Sequence, residues 1–194
     1  MSGNIVLDIE CNMKNLPDGE YIPFYKRATN LLCIVSQEVK KGSKPELYAE
    51  ETLEEGLNNI INSDIIIGHN MIKFDIPALV IMEPTYKKQL NSLTVYDTLS
   101  ASRELYGYEG KKLLVYDKKH GLPETKSPHS LKAWGYRFKF EKMPDFDCTD
   151  WETQPYTPEL GEYCIRDVEI TYKLYHHLVK EFKKRNKKND KDFE

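Results

Sequence analysis

The short run Asp64-Ile65-Ile66-Ile67-Gly68 constrains the fold more tightly than any other stretch of the chain. An apolar run this short, bounded by polar residues, reads as a strand buried on both faces, and such a strand needs one layer above it and another below. The flanking pattern supplies both. Elements follow in the order strands, helix, strand, helix, strand, helices, which predicts an α/β fold with a mixed sheet covered by helices. The 194 residues are enough for one domain with a substantial core.

Asn4 to Glu10 reads as a first strand, Leu31 to Val39 as a second and Glu46 to Ala49 as a short third. A polar turn containing Gly42 joins the last two, so the three form an antiparallel meander. Thr52 with Glu55 three residues on is the pattern of a capping box, and Leu53, Leu57, Ile60 and Ile61 behind it share one helical face. A helix from about Phe74 to Met82 is ended by Pro84, a short strand covers Leu93 to Tyr96, and Asp97-Thr98 caps a helix reaching Tyr106. Gly107 to Pro128 shows no periodicity and is expected to be a long loop, of the kind that often carries function. Ser130 to Tyr136 is helical again, and Met143 to Pro155 is irregular. Thr157-Pro158 is a preferred helix opening, and the helix behind it extends to about Phe182. The expected organisation is one domain over residues 1–182 and a basic, mixed-charge, flexible tail over 183–194.

The chemistry begins on the first strand. Asp8 and Glu10 are two residues apart and point to the same face. Two carboxylates in one space repel each other unless a cation lies between them, which makes a divalent metal the first hypothesis. A second acidic stretch, Gly68-His69-Asn70-Met71-Ile72-Lys73-Phe74-Asp75, follows the buried strand and opens a helix, the junction at which α/β sheets build sites. Asp75 there reads as readily as a helix-start carboxylate favoured by the dipole. On the last helix Tyr163 and Asp167 lie four apart and share a face, a pair that alone reads as a core tyrosine beside a surface acid.

In sequence order, Asp8-x-Glu10, Asn70-x-x-x-Phe74-Asp75 and Tyr163-x-x-x-Asp167 resemble the DEDD superfamily of 3′–5′ exonucleases, in its tyrosine subclass. The histidine subclass would place its histidine five residues before the last aspartate, where this chain has Glu162. Tyr96-Asp97-Thr98-Leu99 and Ser130-Leu131-Lys132-Ala133-Trp134-Gly135-Tyr136-Arg137 extend the resemblance to the proofreading exonuclease domain of phage-type family A DNA polymerases, over most of residues 4 to 182.

The resemblance implies a ribonuclease H-like (RNase H-like) fold and the hydrolysis of phosphodiester bonds at the 3′ end of single-stranded or frayed DNA, releasing nucleoside monophosphates. It implies two Mg²⁺ or Mn²⁺ ions roughly 3.5–4 Å apart, because hard cations take carboxylate oxygens and a pair stabilises attacking and leaving oxygens together. Asp8 would bridge both ions, Glu10 and Asp167 would complete the first, and Asp75 would act mainly on the second through water. Tyr163 would orient the attacking water, since a phenol with a pKa near ~10 is a poor base. Cys11 and Asn12 would meet the terminal sugar through their main chain, and Asn70 would hold the terminal nucleotide or, as we expect, brace its loop. Tyr106, Tyr108 and Tyr116, with Lys111 and Lys112, are candidates to stack on bases and contact phosphates. His69, His120 and His129 lack metal-ligand spacing, Asp97 reads as a cap, and Phe74 and Trp134 read as core.

Composition excludes little beyond this. The hydrophobic share of 40% and charged share of 30% belong to a globular protein, and no apolar run is long enough to span a bilayer, so no membrane partner is expected. Cys11, Cys33, Cys148 and Cys164 form no CxxC pair, which points to free thiols and a reduced cytoplasmic setting, and the resemblance implies that of a phage or its bacterial host. A net charge of −3 neither suggests nor excludes a nucleic-acid partner. The expected chain is a free-standing exonuclease, a proofreading subunit of a separately encoded DNA polymerase, or an excised fragment. Two rivals stand beside it: a 3′–5′ exoribonuclease using the same acids, and a non-catalytic nucleic-acid-binding or interaction module with the same fold.

Overall fold

The computed structural model describes residues 3–17, 19–143 and 150–191. Its sheet has five strands, β1 (Asn4–Met13), β2 (Ala28–Glu38), β3 (Glu46–Ala49), β4 (Ile65–Gly68) and β5 (Val95–Asp97), in the spatial order β3-β2-β1-β4-β5. β1, β2 and β3 form the antiparallel meander, while β4 lies parallel to both β1 and β5. The mixed sheet is therefore as expected, with β1 at its centre. The helices are α1 (Leu53–Ile61), α2 (Asp75–Met82), α3 (Lys87–Leu90), α4 (Thr98–Tyr106), α5 (Lys111–Lys119), α6 (Leu131–Phe138) and α7 (Pro158–Lys191).

The alternation of side chains along a strand divides the core into two layers. Ile5, Leu7 and Ile9 of β1, with Ile34 and Ile66, pack against Leu57 and Ile60 of α1 and Ala78 and Leu79 of α2. Val6, Val35 and Ile67 face the other way, onto Cys164 and Val168 of α7. Ile66 and Ile67 are fully buried on opposite faces, which is what the triple-isoleucine run required. Farther along α7, Ile170, Leu174 and Leu178 close a third cluster with Leu113 of α5 and Leu131 and Trp134 of α6. Among the described residues, no helix is long and apolar enough to cross a membrane.

Three expectations need correction. Thr52 does not cap α1; its hydroxyl is exchanged with the N–H and carbonyl of Ala49, closing a 3₁₀ turn ahead of the helix. The expected loop between Gly107 and Pro128 contains α5. Only Leu113 of that helix is buried while Leu114, Val115 and Tyr116 are exposed, so no apolar stripe with a 3.6-residue period marks it. The turn before it depends on Gly110, whose φ of +59° and tight fit under Pro128 and His129 exclude a side chain. Finally, α7 does not end at Phe182 but continues to Lys191. Nothing there breaks a helix, and a Lys184–Glu181 pair one turn apart supports it.

Asp97 links the end of β5 to the rest of the sheet's carboxyl edge. Its Oδ1 accepts the Ser100 N–H at 3.0 Å, capping α4, and its Oδ2 accepts the Ile72 N–H at 3.1 Å. One side chain thus caps a helix and fixes the loop before α2. Replacing Asp97 by Ala is expected to lower stability by about 1–3 kcal/mol in urea unfolding. An unchanged midpoint would show that the loop is held by something else.

Candidate active site

The cleft at the carboxyl ends of β1 and β4 has a volume of about 200 Å³ and is lined by Asp8, Glu10, His69, Asn70, Phe74, Asp75, Lys142, Trp151, Tyr163 and Asp167. All five residues expected to carry the chemistry reach it. Asp8 and Glu10 arrive together on one face of β1, whose pairing with β2 slips out of register immediately after Glu10. Such irregularities bend a strand and re-aim the side chains beyond them. Asp75 is the first residue of α2, and Tyr163 and Asp167 come from adjacent turns of α7.

Asn70 makes the turn that delivers Asp75. It adopts φ of +67°, a left-handed conformation that asparagine tolerates, and its carbonyl accepts the N–H groups of both Lys73 and Phe74. The bracing role is thus carried by its main chain, while its side chain lines the cleft. His69 beside it is held by Thr98, whose hydroxyl donates to the Gly68 carbonyl and so accepts from His69 Nδ1 at 3.0 Å. Burial lowers the His69 pKa to about 4, so the ring is neutral and structural.

The carboxyl groups perturb one another. Burial and then the neighbouring charges of Asp75, Asp167 and Glu10 hold the Asp8 carboxyl well above the usual carboxylate range. Glu10 is pushed up to about 8, by burial first and then Asp167, with Lys142 opposing. Asp75 rises to about 7, again chiefly by burial, although its own N–H and that of Ile9 partly offset the shift. A divalent cation among these acids would favour their ionised forms at neutral pH.

The donor chemistry fits hard divalent cations. Ligand atoms of Asp8, Glu10 and Cys164 lie within 4.8 Å of one another, with Asp75 and Asp167 in the same cleft. Cys164 is better read as a hydrogen-bond donor than as a ligand. It is fully buried, its Sγ lies 3.5 Å from Asp8 Oδ2, and burial raises its thiol pKa well above the ordinary value. A protonated thiol donates to a carboxylate, and hard ions select the oxygens around it.

Other expected contacts are redistributed. Asn12 is 5% exposed, and its amide donates to the carbonyls of Trp151 and Gln154 while its Oδ1 accepts from Asn30. Its side chain is a clamp on the segment beginning at Asp150, which leaves the main chain for the expected sugar contact. Cys11 is buried with its thiol on Met13, and it lines a second recess of about 220 Å³ with Glu10, Met13, Phe24, Phe74 and Trp151. Phe74, expected in the core, is half-buried and shared by both cavities. Tyr106 is half-buried, its hydroxyl bonded to His177 at 2.8 Å, and it lines a cavity with Lys112 and Tyr116. Tyr108 and Tyr116 do face solvent. Cys148 lies outside the described residues.

Two lining residues carried no sequence signal. Lys142 and Trp151 flank a stretch without periodicity, where neither motif nor spacing distinguishes a site residue from a surface one. Lys142 Nζ lies 2.6 Å from Asp167 Oδ2, and 4.4 Å from the centroid of the Tyr163 ring. Burial would lower the Lys142 pKa, but Asp167 and Tyr163 outweigh it and hold the ammonium charged.

The profile of a 3′–5′ exonuclease family, that of family A DNA polymerases, matches residues 18–183. The chain belongs to this 3′–5′ exonuclease family. The matched span includes Asp75, Tyr163 and Asp167 and begins after β1. No curated protein matches the exonuclease in sequence. Among solved structures it is similar to Brucella melitensis NrnC, with a TM-score of 0.58 and 15% identity over 97% of this chain and 78% of that one. A second NrnC structure, bound to pGG, gives a TM-score of 0.57 at 15% identity, with the same coverage of 97% and 78%. The catalytic core of RRP6 from Trypanosoma brucei aligns with a TM-score of 0.53 and 13% identity over 91% of this chain and 41% of that one. At these identities the likeness carries the fold, which is RNase H-like, as expected. DEDD exonucleases depend on divalent metals, and the acidic cluster fits that requirement.

The raised carboxyl pKa values give a signed pH dependence. In metal-stripped protein the folded state holds protons on Glu10 and Asp75 that the unfolded chain releases near the ordinary range of about 4. Their contribution is complete below that range and is lost as pH rises through about 7 to 8. With EDTA the melting temperature should therefore fall across this window, and Mg²⁺ or Mn²⁺ should reverse most of the fall. A melting temperature that rises with pH in EDTA would contradict the assignment.

Proposed function

We propose that the exonuclease removes nucleotides singly from the 3′ end of single-stranded or frayed DNA. The observation that carries this reading is the continuity of two cavities. The carboxylate cleft and the recess behind Glu10 share Glu10, Phe74 and Trp151, so a reacting phosphate and an adjoining nucleotide have neighbouring places. Met13, Phe24, Phe74 and Trp151 give the recess apolar and aromatic walls suited to a base, and Asn15 and Arg27 line it beside them. The match to the family A DNA polymerase exonuclease profile supports the same substrate.

Asp8, Glu10, Asp75 and Asp167 would hold two divalent ions, Mg²⁺ or Mn²⁺. Ions so held supply charge stabilisation for the attacking and leaving oxygens and lower the pKa of the attacking water. The protein's own part is placement. Tyr163, its pKa pushed up to about 12 mainly by burial, keeps its proton and serves as an oriented O–H donor to that water rather than as a base. Phe74 and Trp151, which line both cavities, would flank the terminal base, and Asn70, which lines the cleft, would offer its amide to the terminal nucleotide. Removal of mismatched ends for a separately encoded DNA polymerase is the use we assign to this activity. The phage or bacterial cytoplasm is where we place it.

A 5′-labelled DNA oligonucleotide should give a ladder shortening from its 3′ end with Mg²⁺ or Mn²⁺. Asp75→Ala should slow this by roughly 100-fold or more, beyond the usual effect of losing an outer-shell group. An RNA of the same sequence should be degraded more slowly. Faster RNA degradation would move the assignment to an exoribonuclease, and absence of mononucleotide release with either metal would leave a non-catalytic module.

A further inference from the structure

Among the described residues, Lys142 is the one cationic side chain lining the four-carboxylate cleft. Its position is built by two helices. The chain leaves α6 through Lys139 in a left-handed conformation, and the Phe140 N–H donates to the Gly135 carbonyl at 2.9 Å. Residues 140–142 then lie directly on α6. A Cβ at Gly135 would come within 3.0 Å of the Phe140 carbonyl oxygen and 3.2 Å of the Lys142 nitrogen, so any larger residue would push this backbone off α6 by a few tenths of an ångström. The Phe140 ring is held by two cations of α7, with the Arg166 guanidinium at 4.0 Å and the Lys173 ammonium at 4.6 Å from its centroid. Anchored in this way, the segment sets the Lys142 ammonium against Tyr163 and Asp167, one turn apart on α7.

We propose that Lys142 is a positioning residue that competes with a metal ion for Asp167. Its ammonium holds the Asp167 carboxylate and the Tyr163 ring in their working arrangement, and it yields the carboxylate oxygen to an incoming divalent cation. This rests on the metal-dependent reading of the site. The competition follows from geometry: Asp167 is 6% exposed in its side chain and contacts Lys142 at 2.6 Å through Oδ2, so a cation taking that oxygen is opposed by the ammonium's charge and by its hold on the carboxylate. The two cations are therefore negatively coupled through one carboxylate. The contact with the Tyr163 ring does not depend on that oxygen, so Lys142 stays beside the tyrosine when Asp167 is released.

The test is Mn²⁺ binding to the full chain without nucleic acid, measured by calorimetry or by loss of the free-ion electron paramagnetic resonance signal. Lys142→Met should bind Mn²⁺ about fivefold or more tightly than the wild type. It should also show a lower kcat on a DNA oligonucleotide at saturating Mn²⁺, with KM changed less, because Tyr163 has lost its neighbour. Lys142→Arg keeps the charge and grips a carboxylate with two donors, so it should bind Mn²⁺ more weakly than the wild type. A purely structural lysine would lower affinity or leave it alone in both variants. Equal or weaker Mn²⁺ binding by folded Lys142→Met overturns the proposal. Should that variant not fold, unchanged affinity in Lys142→Arg overturns it instead. A wild-type chain that binds no Mn²⁺ removes the metal reading itself, and the competition with it.

Discussion

Mutual repulsion among buried carboxyl groups is the constraint on which the rest of the structure depends. Asp8, Glu10, Asp75 and Asp167 converge on one cleft, and Asp75 and Asp167 are almost wholly buried. Burial opposes ionisation there, and at Asp8 and Glu10 the neighbouring carboxylates add to it, so Asp8, Glu10 and Asp75 all hold their protons above the ordinary range. A fold gains nothing in stability from such a cluster. A divalent cation among these hard oxygen donors would offset that cost.

The scaffold keeps these groups together without letting them relax apart. β1 is the central strand, with hydrogen-bonded neighbours on both sides and cover on both faces, so Asp8 and Glu10 cannot swing away from each other. The loop to Asp75 is fixed by the Asn70 carbonyl at one point and by Asp97 at another. Tyr163 and Asp167 lie on the α7 segment whose apolar face covers β1 and β2. The rigid parts of the molecule are those that carry the charge.

Much of this was legible before the structure. The isoleucine run required a doubly covered strand, and β4 is one; the i, i+2 and i, i+4 spacings required shared faces, and those faces meet in the cleft. Periodicity failed where burial is one-sided and slight. α5 buries a single leucine, so its helical period left no mark. The Thr52 pattern misled because a hydroxyl can satisfy a neighbouring turn as readily as a helix end. Lys142 was invisible for a different reason: its placement depends on a backbone passing over Gly135, a tertiary contact that no local pattern encodes. Asn12 shows the converse, a residue adjacent to the site in sequence whose side chain is committed to holding another segment.

The proposed binding of two ions by the carboxylates is open to test by anomalous diffraction from crystals soaked in Mn²⁺. Two peaks roughly 3.5–4 Å apart among the oxygens of Asp8, Glu10, Asp75 and Asp167, with no sulfur ligand from Cys164, are expected. A cleft without anomalous density, or a single ion coordinated by the Cys164 thiolate, would contradict it.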